Sequence, residues 1–473
     1  MKRYKHSLSH YHLTSFDMGE LIPIGCMEVL PGDTFQQSTS ALVRVTPQLK
    51  PLMHPVNVQI HHFYVPNRIL WSGWEDFITG ESETAPPTIT GGAHVEGRLY
   101  DYLGVYNDAS NDFSALPVRA YNKIYNEFYR DQDLVSEVAE DSNDVQKASW
   151  SKDYFSTARP WAQKGGSVTL PLSGQADVDY TTSSGNAALF RSTTGTLYTS
   201  NDVTSNASGQ IANSGGSGGL IDPNGTLYAD LSTATAIDVA DFREAFALQR
   251  YQEARSRYGS NYVDYLRYLG IKPSDSRLQR PEYLGGGRQS ISFSEVLSTN
   301  DAGTLGELGG HGIGAVRSNK YRRYFEEHGF VITMMVVRPK PIYVNGLPRK
   351  FSRTTKEDYY QKELESIGQQ EILNKEVYAA HTNPIATFGY QNRYREYTEE
   401  QSRVSSEFRN STSYDWHFGR IFSSNPALNQ TFIECDPTKR VFADQTEDSL
   451  QVMVQHNVQA RRMVSKRSIG SVF

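Results

Sequence analysis

Cysteine is nearly absent from this chain. Cys26 and Cys435 are the only two in 473 residues, and their spacing matches no zinc or redox motif. Buried free thiols, not a disulfide, are the expectation. Long apolar runs are missing too. None approaches the roughly 20 residues that cross a bilayer as a helix, and the mean hydropathy of -0.54 is that of a water-soluble chain. The opening MKRYKHSLSHYHLTSF is positive but has no apolar segment behind it, so it does not read as a secretory signal. Folding in a cytoplasm is expected. Chemical motifs are equally scarce: there is no His-Glu-x-x-His, no Gly-x-Ser-x-Gly and no cysteine-histidine pair at catalytic spacing. His61 and His62 adjoin on an expected strand, so they face opposite ways and cannot share a metal. His6, His10 and His12 have no cysteine or nearby carboxylate to complete a ligand set. Glu326 with Glu327, and Glu399 with Glu400, read as solvated faces, although an acid pair assembled from distant loops is invisible at this level. No metal and no cofactor is expected.

Aromatic side chains are what the chain has in quantity: 12% of residues, with 29 Tyr and 21 Phe. The length allows two or three domains, or one β-domain with large insertions. Tyr and Phe suit half-buried sheet positions and protein interfaces, which favours the second choice. A net charge of -6 argues against a surface that binds nucleic acid everywhere, but the charge is unevenly placed. Lys2, Arg3 and Lys5 fall in residues 1–16, and Arg461, Arg462, Lys466 and Arg467 in residues 449–473, with no acid in either segment. Two such basic ends could neutralise phosphates without reading sequence, or be solvated tails.

Turn signals at Pro31, Gly32 and Asp33, and at Pro47, Pro51 and Pro55, separate β-branched and aromatic runs. Strands are expected at 42–46, at 56–65 with Val56, Val58, Ile60 and His62 on one face, and at 330–337, stopped by Pro339 and Pro341. Helices are expected at 71–77, at 119–130 with a packing stripe of Tyr121, Ile124, Tyr125 and Phe128, at 238–257 and at 262–268. The helix at 238–257 would be capped by Asp238 and carry Phe242, Phe246 and Tyr251 along one side. Gly285, Gly286 and Gly287 lack the lysine and the helix of a phosphate loop, so a tight turn is the expectation. Gly310, Gly312 and Gly314 lack dinucleotide spacing. Residues 173–235 are rich in Ser, Thr, Gly, Asn and Asp with short apolar islands, a composition of turns and exposed hairpins.

Several blocks carry a family resemblance. EVLPGDTF at 28–35, a Thr/Ser/Ala/Arg run, prolines, and HFYVPNRILW at 62–71 resemble the opening of the major capsid protein of microviruses, tailless phages with single-stranded DNA, and the gokushovirus-like branch in particular. YFSTARPWAQKG at 154–165, RLQRPEYLGGGR at 277–288, FGYQNRYREY at 388–397 and FIECDP at 432–437 continue it, so it spans about residues 16–442. The resemblance implies a mainly β fold, an eight-stranded antiparallel viral jelly-roll β-sandwich with long loop insertions and several short helices. Residues 17–448 would be one jelly-roll domain between a basic N-terminal arm, 1–16, and a basic C-terminal arm, 449–473. Within it, 173–235 would form a surface protrusion and 238–270 a helical insertion. The implied function is a structural one without catalysis: a T=1 icosahedral shell of identical subunits around a circular single-stranded DNA genome. Lys2, Arg3, Lys5, Arg461, Arg462, Lys466 and Arg467 would contact DNA. Phe190, Tyr198, Asn213 and Tyr228 would face a host bacterial surface receptor. Scaffold or internal, DNA-binding and pilot proteins of the same phage would be partners, with assembly in the host cytoplasm, residence in the virion and no membrane span. Arg159, Trp161 and Lys164 could touch DNA or hold a corner of the fold. The competing reading from composition is a β-rich carbohydrate-binding protein or glycosidase, since aromatic rings also stack on sugars.

Overall fold

The computed structural model describes residues 3–106, 111–166, 168, 177–180, 203–205, 211–213, 227–230, 239–297 and 307–465. Eleven strands make its two main sheets: β1 (Tyr4–Ser7), β2 (His10–Phe16), β3 (Leu21–Val29), β4 (Thr34–Gln48), β5 (Val56–Pro66), β6 (Glu282–Ser290), β7 (Ser292–Leu297), β8 (Leu308–Arg317), β9 (Tyr321–Tyr324), β10 (Gly329–Pro339) and β11 (Leu450–Arg462). The larger sheet has seven strands, ordered β1-β11-β4-β8-β7, with β2 also on β11 and β9 also on β4. The smaller has four, ordered β6-β5-β10-β3. Every pairing in both is antiparallel.

The two sheets pack face to face. Val43 and Val45 of β4 and Val452 and Val454 of β11 meet Ile22 and Ile24 of β3, Val58 and Ile60 of β5, and Met335 and Val337 of β10 in one buried cluster. A second cluster between the same layers joins Phe35 and Val458 to Tyr64, Val331 and Val29. The smaller sheet is covered on its other side as well. There Leu21, Phe63, Val65, Ile332, Met334 and Val336 pack against Leu116, Val118, Ala120, Tyr121, Ile124 and Tyr125, which lie on the helix Leu116–Ile124 and its π-helical continuation Tyr125–Tyr129. Tyr121 is fully buried; its hydroxyl donates to the Leu21 carbonyl at 2.8 Å and accepts the Gln146 amide at 3.0 Å. This double burial is why β10 reads GFVITMMVVRP, an almost unbroken apolar run.

Residues 165–252 are a separate compact unit. It holds two short antiparallel pairs, Asp177–Tyr180 with Leu227–Asp230 and Val203–Ser205 with Ile211–Asn213, and the first part of the helix Val239–Tyr258. Most of the segment 173–235 expected as a protrusion lies outside the described residues, as does Asp238.

Two expectations change. Gly285, Gly286 and Gly287 are in β6, not in a turn, paired with His62, His61 and Ile60 of β5. Glycine is needed there for close approach: a Cβ on Gly286 would lie 2.3 Å from the Ile60 carbonyl oxygen, and one on Gly287 2.4 Å from that of Arg317. Gly285, at φ 146, directly follows the bulge at Leu284. The basic ends are not free arms over most of their described length. β1 and β2 are laid antiparallel along β11, with Tyr4 opposite Arg462 and Phe16 opposite Leu450.

Candidate functional site

Because β1 and β11 pair, the basic residues expected at opposite chain ends meet at one end of the larger sheet. Side chains alternate across a strand, so neighbours in sequence meet different fates. Arg462 turns toward the inner layer. Its Nε lies 2.9 Å from an Asp33 carboxylate oxygen, its guanidinium stands 5.3 Å from the Phe35 ring centroid, and it also donates to the Glu28 carbonyl. The second tie on the Asp33 carboxylate is the Leu30 amide, at 3.0 Å. Burial pushes the Asp33 carboxyl up from its ordinary range, and the Leu30 amide and Arg462 offset part of that cost. Arg462 is therefore a clasp between β11 and the turn before β4. Arg461 points the other way, exposed, directly opposite exposed Lys5. Arg3 is exposed and stacks over the Tyr324 ring at 4.9 Å. Lys2, Lys466 and Arg467 lie outside the described residues. So do Phe190 and Tyr198, while Asn213 and Tyr228 are placed only as backbone, opposite Val203 and Asp179.

The same outward face carries cations that sequence reading did not single out. Arg44 of β4, Arg317 of β8 and Arg322 of β9 are exposed there. Arg317 is opposite Ser40 and Arg322 opposite Gln36, positions of β4 that share the face with Arg44. The alternation of Gly310, Gly312 and Gly314 with His311, Ile313 and Ala315 in β8 was the available signal.

Arg159 and Lys164 hold a corner of the fold. Asp131, almost fully buried, receives Lys152 at 2.7 Å and Arg159 at 2.9 Å, and Asp133 receives Lys164 at 3.0 Å. Burial alone would raise the Asp131 carboxyl; Lys152 and Arg159 reverse this and hold it below its ordinary range. Lys164 also lies 5.5 Å from the Trp161 ring. Asp131, Asp133, Lys152 and Arg159 line a cavity of about 550 Å³.

Glu376 and Glu396 are the acids a glycosidase reading would need, and both are buried beside a cavity of about 230 Å³. Each is already clamped. Arg349 lies 3.5 Å from Glu376 and 3.9 Å from Glu396, Arg353 lies 3.3 Å from Glu396, and the Leu373 amide donates to Glu376 at 3.0 Å. Burial raises the Glu376 carboxyl, and Arg349 works against it. Acids neutralised in this way tie a loop together and leave no free acid and base.

The buried histidines are structural as well. His62 contacts Thr333 and Ser318 hydroxyls at 3.0 Å each; His456 donates to the Ile24 carbonyl at 2.8 Å and meets the Thr39 hydroxyl at 2.9 Å. Gln37 joins the two through Thr39 and Thr333. Burial pushes His62 down to about 3 and His456 down to about 4, so both are neutral spacers between the sheets. His61 turns to the opposite side, with Nδ1 2.6 Å from the Tyr129 hydroxyl. Among the described residues no group of three or more His, Cys, Asp or Glu is placed to hold a metal, and no helix is long and apolar enough to cross a membrane. Cys26 and Cys435 are free thiols, each pushed up to about 12 by burial.

The chain matches a family model described as capsid protein (F protein) over residues 1–470. It is 34% identical to capsid protein VP1 of Bdellovibrio phage phiMH2K, covering 89% of this chain and 85% of that one. Against capsid protein VP1 of Chlamydia phage 1 the identity is 31%, covering 94% and 91%. Against that of Spiroplasma virus 4 it is 30%, covering 92% and 88%. A mainly β body with several short helices, whose buried acids and histidines are committed to packing, is thus a structural protein of the virion: the chain belongs to the capsid protein (F protein) family of Microviridae-type single-stranded DNA phages.

Proposed function

We propose that this chain is the major capsid protein of a gokushovirus-like phage. It assembles with copies of itself in the host cytoplasm into a T=1 icosahedral shell, encloses a circular single-stranded DNA genome and presents surface loops for attachment to a host bacterium. The observation that carries the reading is the strand order, taken with the full-length family match. Eight strands can be traced as β2-β11-β4-β8 in one layer and β3-β10-β5-β6 in the other, with successive strands from β2 to β5 alternating between layers. That order supports an eight-stranded jelly-roll sandwich, with β1, β7 and β9 as additions to it. Closed symmetric assembly follows from a self-complementary set of edges on such a body. Exposed aromatics such as Tyr262, Tyr265 and Tyr268 suit its interfaces. Residues 173–235 carry host recognition, with Phe190, Tyr198, Asn213 and Tyr228 as receptor-facing candidates, because loops on a rigid frame tolerate change. Lys2, Arg3, Lys5, Arg461, Lys466 and Arg467 face the genome. Internal, DNA-binding and pilot proteins of the same phage complete the particle.

Expression in a bacterium followed by electron microscopy tests this reading. Closed shells, or regular subassemblies when a partner protein or DNA is withheld, are expected. A monodisperse monomer under every assembly condition, with partner proteins and DNA supplied, would overturn it.

A further inference from the structure

We infer that the cavity beside the Asp131 and Asp133 corner binds a small oxoanionic ligand, one bearing a phosphate or a carboxylate, and that Arg130 and Arg338 hold it. This site does not depend on the shell reading. The volume of about 550 Å³ is that of a small-molecule site. Its wall is built from His61 of β5, Arg338 of β10, Tyr129 and Arg130 at the end of the π-helical turn, Trp150 from a loop, and Asn261 at the start of the helix Tyr262–Tyr268. A π-helical turn often marks a functional site. His61 and Arg338 share a face with Phe63, Met334 and Val336, the face of the smaller sheet turned away from the larger one. Both sheets therefore lie between this cavity and the basic outward face. Lys152, Ser260 and Arg267 are exposed lining residues, so the cavity can be entered from solvent.

The first support is that every acid lining the cavity is already spent. Asp131 holds Lys152 and Arg159, Asp133 holds Lys164, Asp264 lies 3.5 Å from Arg267, and Glu127 lies 4.0 Å from Arg280. Arg130 and Arg338 have no ion-pair partner among the described residues. Burial pushes the Arg338 guanidinium down from its ordinary value, and the groups that act on it are the Cys435 thiol, the Tyr129 hydroxyl and a second cation, Arg288. Both the thiol and the hydroxyl are themselves held neutral by burial. The second support is unspent donors. Arg338 donates to the Ser149 carbonyl at 2.6 Å and to the Gln59 side-chain oxygen, and Arg130 donates to the Val135 carbonyl at 3.1 Å. The Nε–H of each is buried and has no acceptor among the described residues. A buried cation with a spare donor and no acid is costly to keep, and two around one cavity are accounted for by an anion that takes both. Guanidinium forks match the paired oxygens of phosphate and carboxylate. A neutral ligand would leave both charges uncompensated.

The test titrates the full-length protein with inorganic phosphate and, separately, with citrate, by calorimetry at constant ionic strength. Saturable binding is expected, and the tighter of the two anions tells a phosphate-bearing ligand from a carboxylate-bearing one. Arg130→Gln and Arg338→Gln should each weaken binding about tenfold or more. Arg338→Lys keeps the charge and loses the fork; it should bind more weakly than wild type, and it stands in if the neutral variant does not fold. Arg257→Gln removes an exposed cation that does not line the cavity and should change nothing. Folded wild-type protein that binds neither anion saturably would overturn the inference. Wild-type affinity in Arg130→Gln and Arg338→Lys would do the same, as would an equal loss in Arg257→Gln, which reduces the effect to net charge. A particle reconstruction with the bound anion should show density against both guanidinium groups, and density only at other surfaces would count against the site. Each of these outcomes leaves the shell reading intact.

Discussion

The two sheets of the body differ in what lies behind them. The smaller is sandwiched, with the larger sheet on one side and the helix Leu116–Ile124 on the other. The larger has core on one side only, and β11 alternates buried and exposed along its whole length up to Arg461. A sheet covered twice serves as a scaffold where it is covered: β10 is buried along nearly its whole length, while β6 at the edge stays largely exposed. A sheet covered once keeps half its residues free for other duties, and here that half is basic and amide-rich. Stability and interaction are thus separated by sheet face, down to adjacent residues such as Arg461 and Arg462.

The largest break in this comparison should come from the doubly covered side. Tyr121→Ala removes a fully buried ring and its two hydrogen bonds and should cost about 3 to 5 kcal/mol in chemical denaturation, whereas Met453→Ala on the free face should stay within about 0.5 kcal/mol. Next comes the clasp. Arg462→Ala leaves the buried Asp33 carboxylate without its cation and should cost about 2 kcal/mol, while Arg461→Ala should cost under about 0.5 kcal/mol. Equal effects at 461 and 462 would contradict the assigned faces.

Acidification should act on the seam between the sheets. His62 and His456 titrate at about 3 and about 4 in the folded protein, below the ordinary value of about 6.5. The unfolded chain therefore takes up protons first as pH falls. Stability should drop from about pH 6.5 toward pH 4, by about 1 kcal/mol for each histidine at about pH 5.5. Thermal unfolding of His456→Asn should show a shallower pH slope than wild type, even if its melting point is lower throughout. The smallest expected effect is Lys164→Met, which removes one of two cations near Asp133 at a partly exposed site. A loss of about 1 kcal/mol or less is expected, with DNA binding unchanged, because Lys164 belongs to the corner and not to the basic face.

Much of the body was legible wherever burial writes a pattern into side chains. Val56, Val58, Ile60 and His62 do share the buried face of β5, and the stripe Tyr121, Ile124 and Tyr125 is buried against the smaller sheet. The run at 330–337 lies within β10. The glycine block of β6 was misread because glycine has no side chain with which to record a strand; only the carbonyls of Ile60 and Arg317 explain it. β1 and β2 were read as an arm because YKHS and HYHLTSF alternate poorly, and their pairing partner is more than 430 residues away. The basic face was missed for a related reason: Lys5, Arg44, Arg317, Arg322 and Arg461 are scattered along the chain, and no window contains more than two of them.

Local periodicity and turn chemistry were enough to specify which stretches would be buried as strands and helices, because side-chain alternation and the 3.6-residue repeat are properties of short segments. Pairing across hundreds of residues is not such a property. It was tertiary structure that turned chain ends into sheet, sent Arg462 into a clasp while leaving Arg461 free, and gathered scattered cations onto one face. Register across a sheet, not position along the chain, determines which charges stand together.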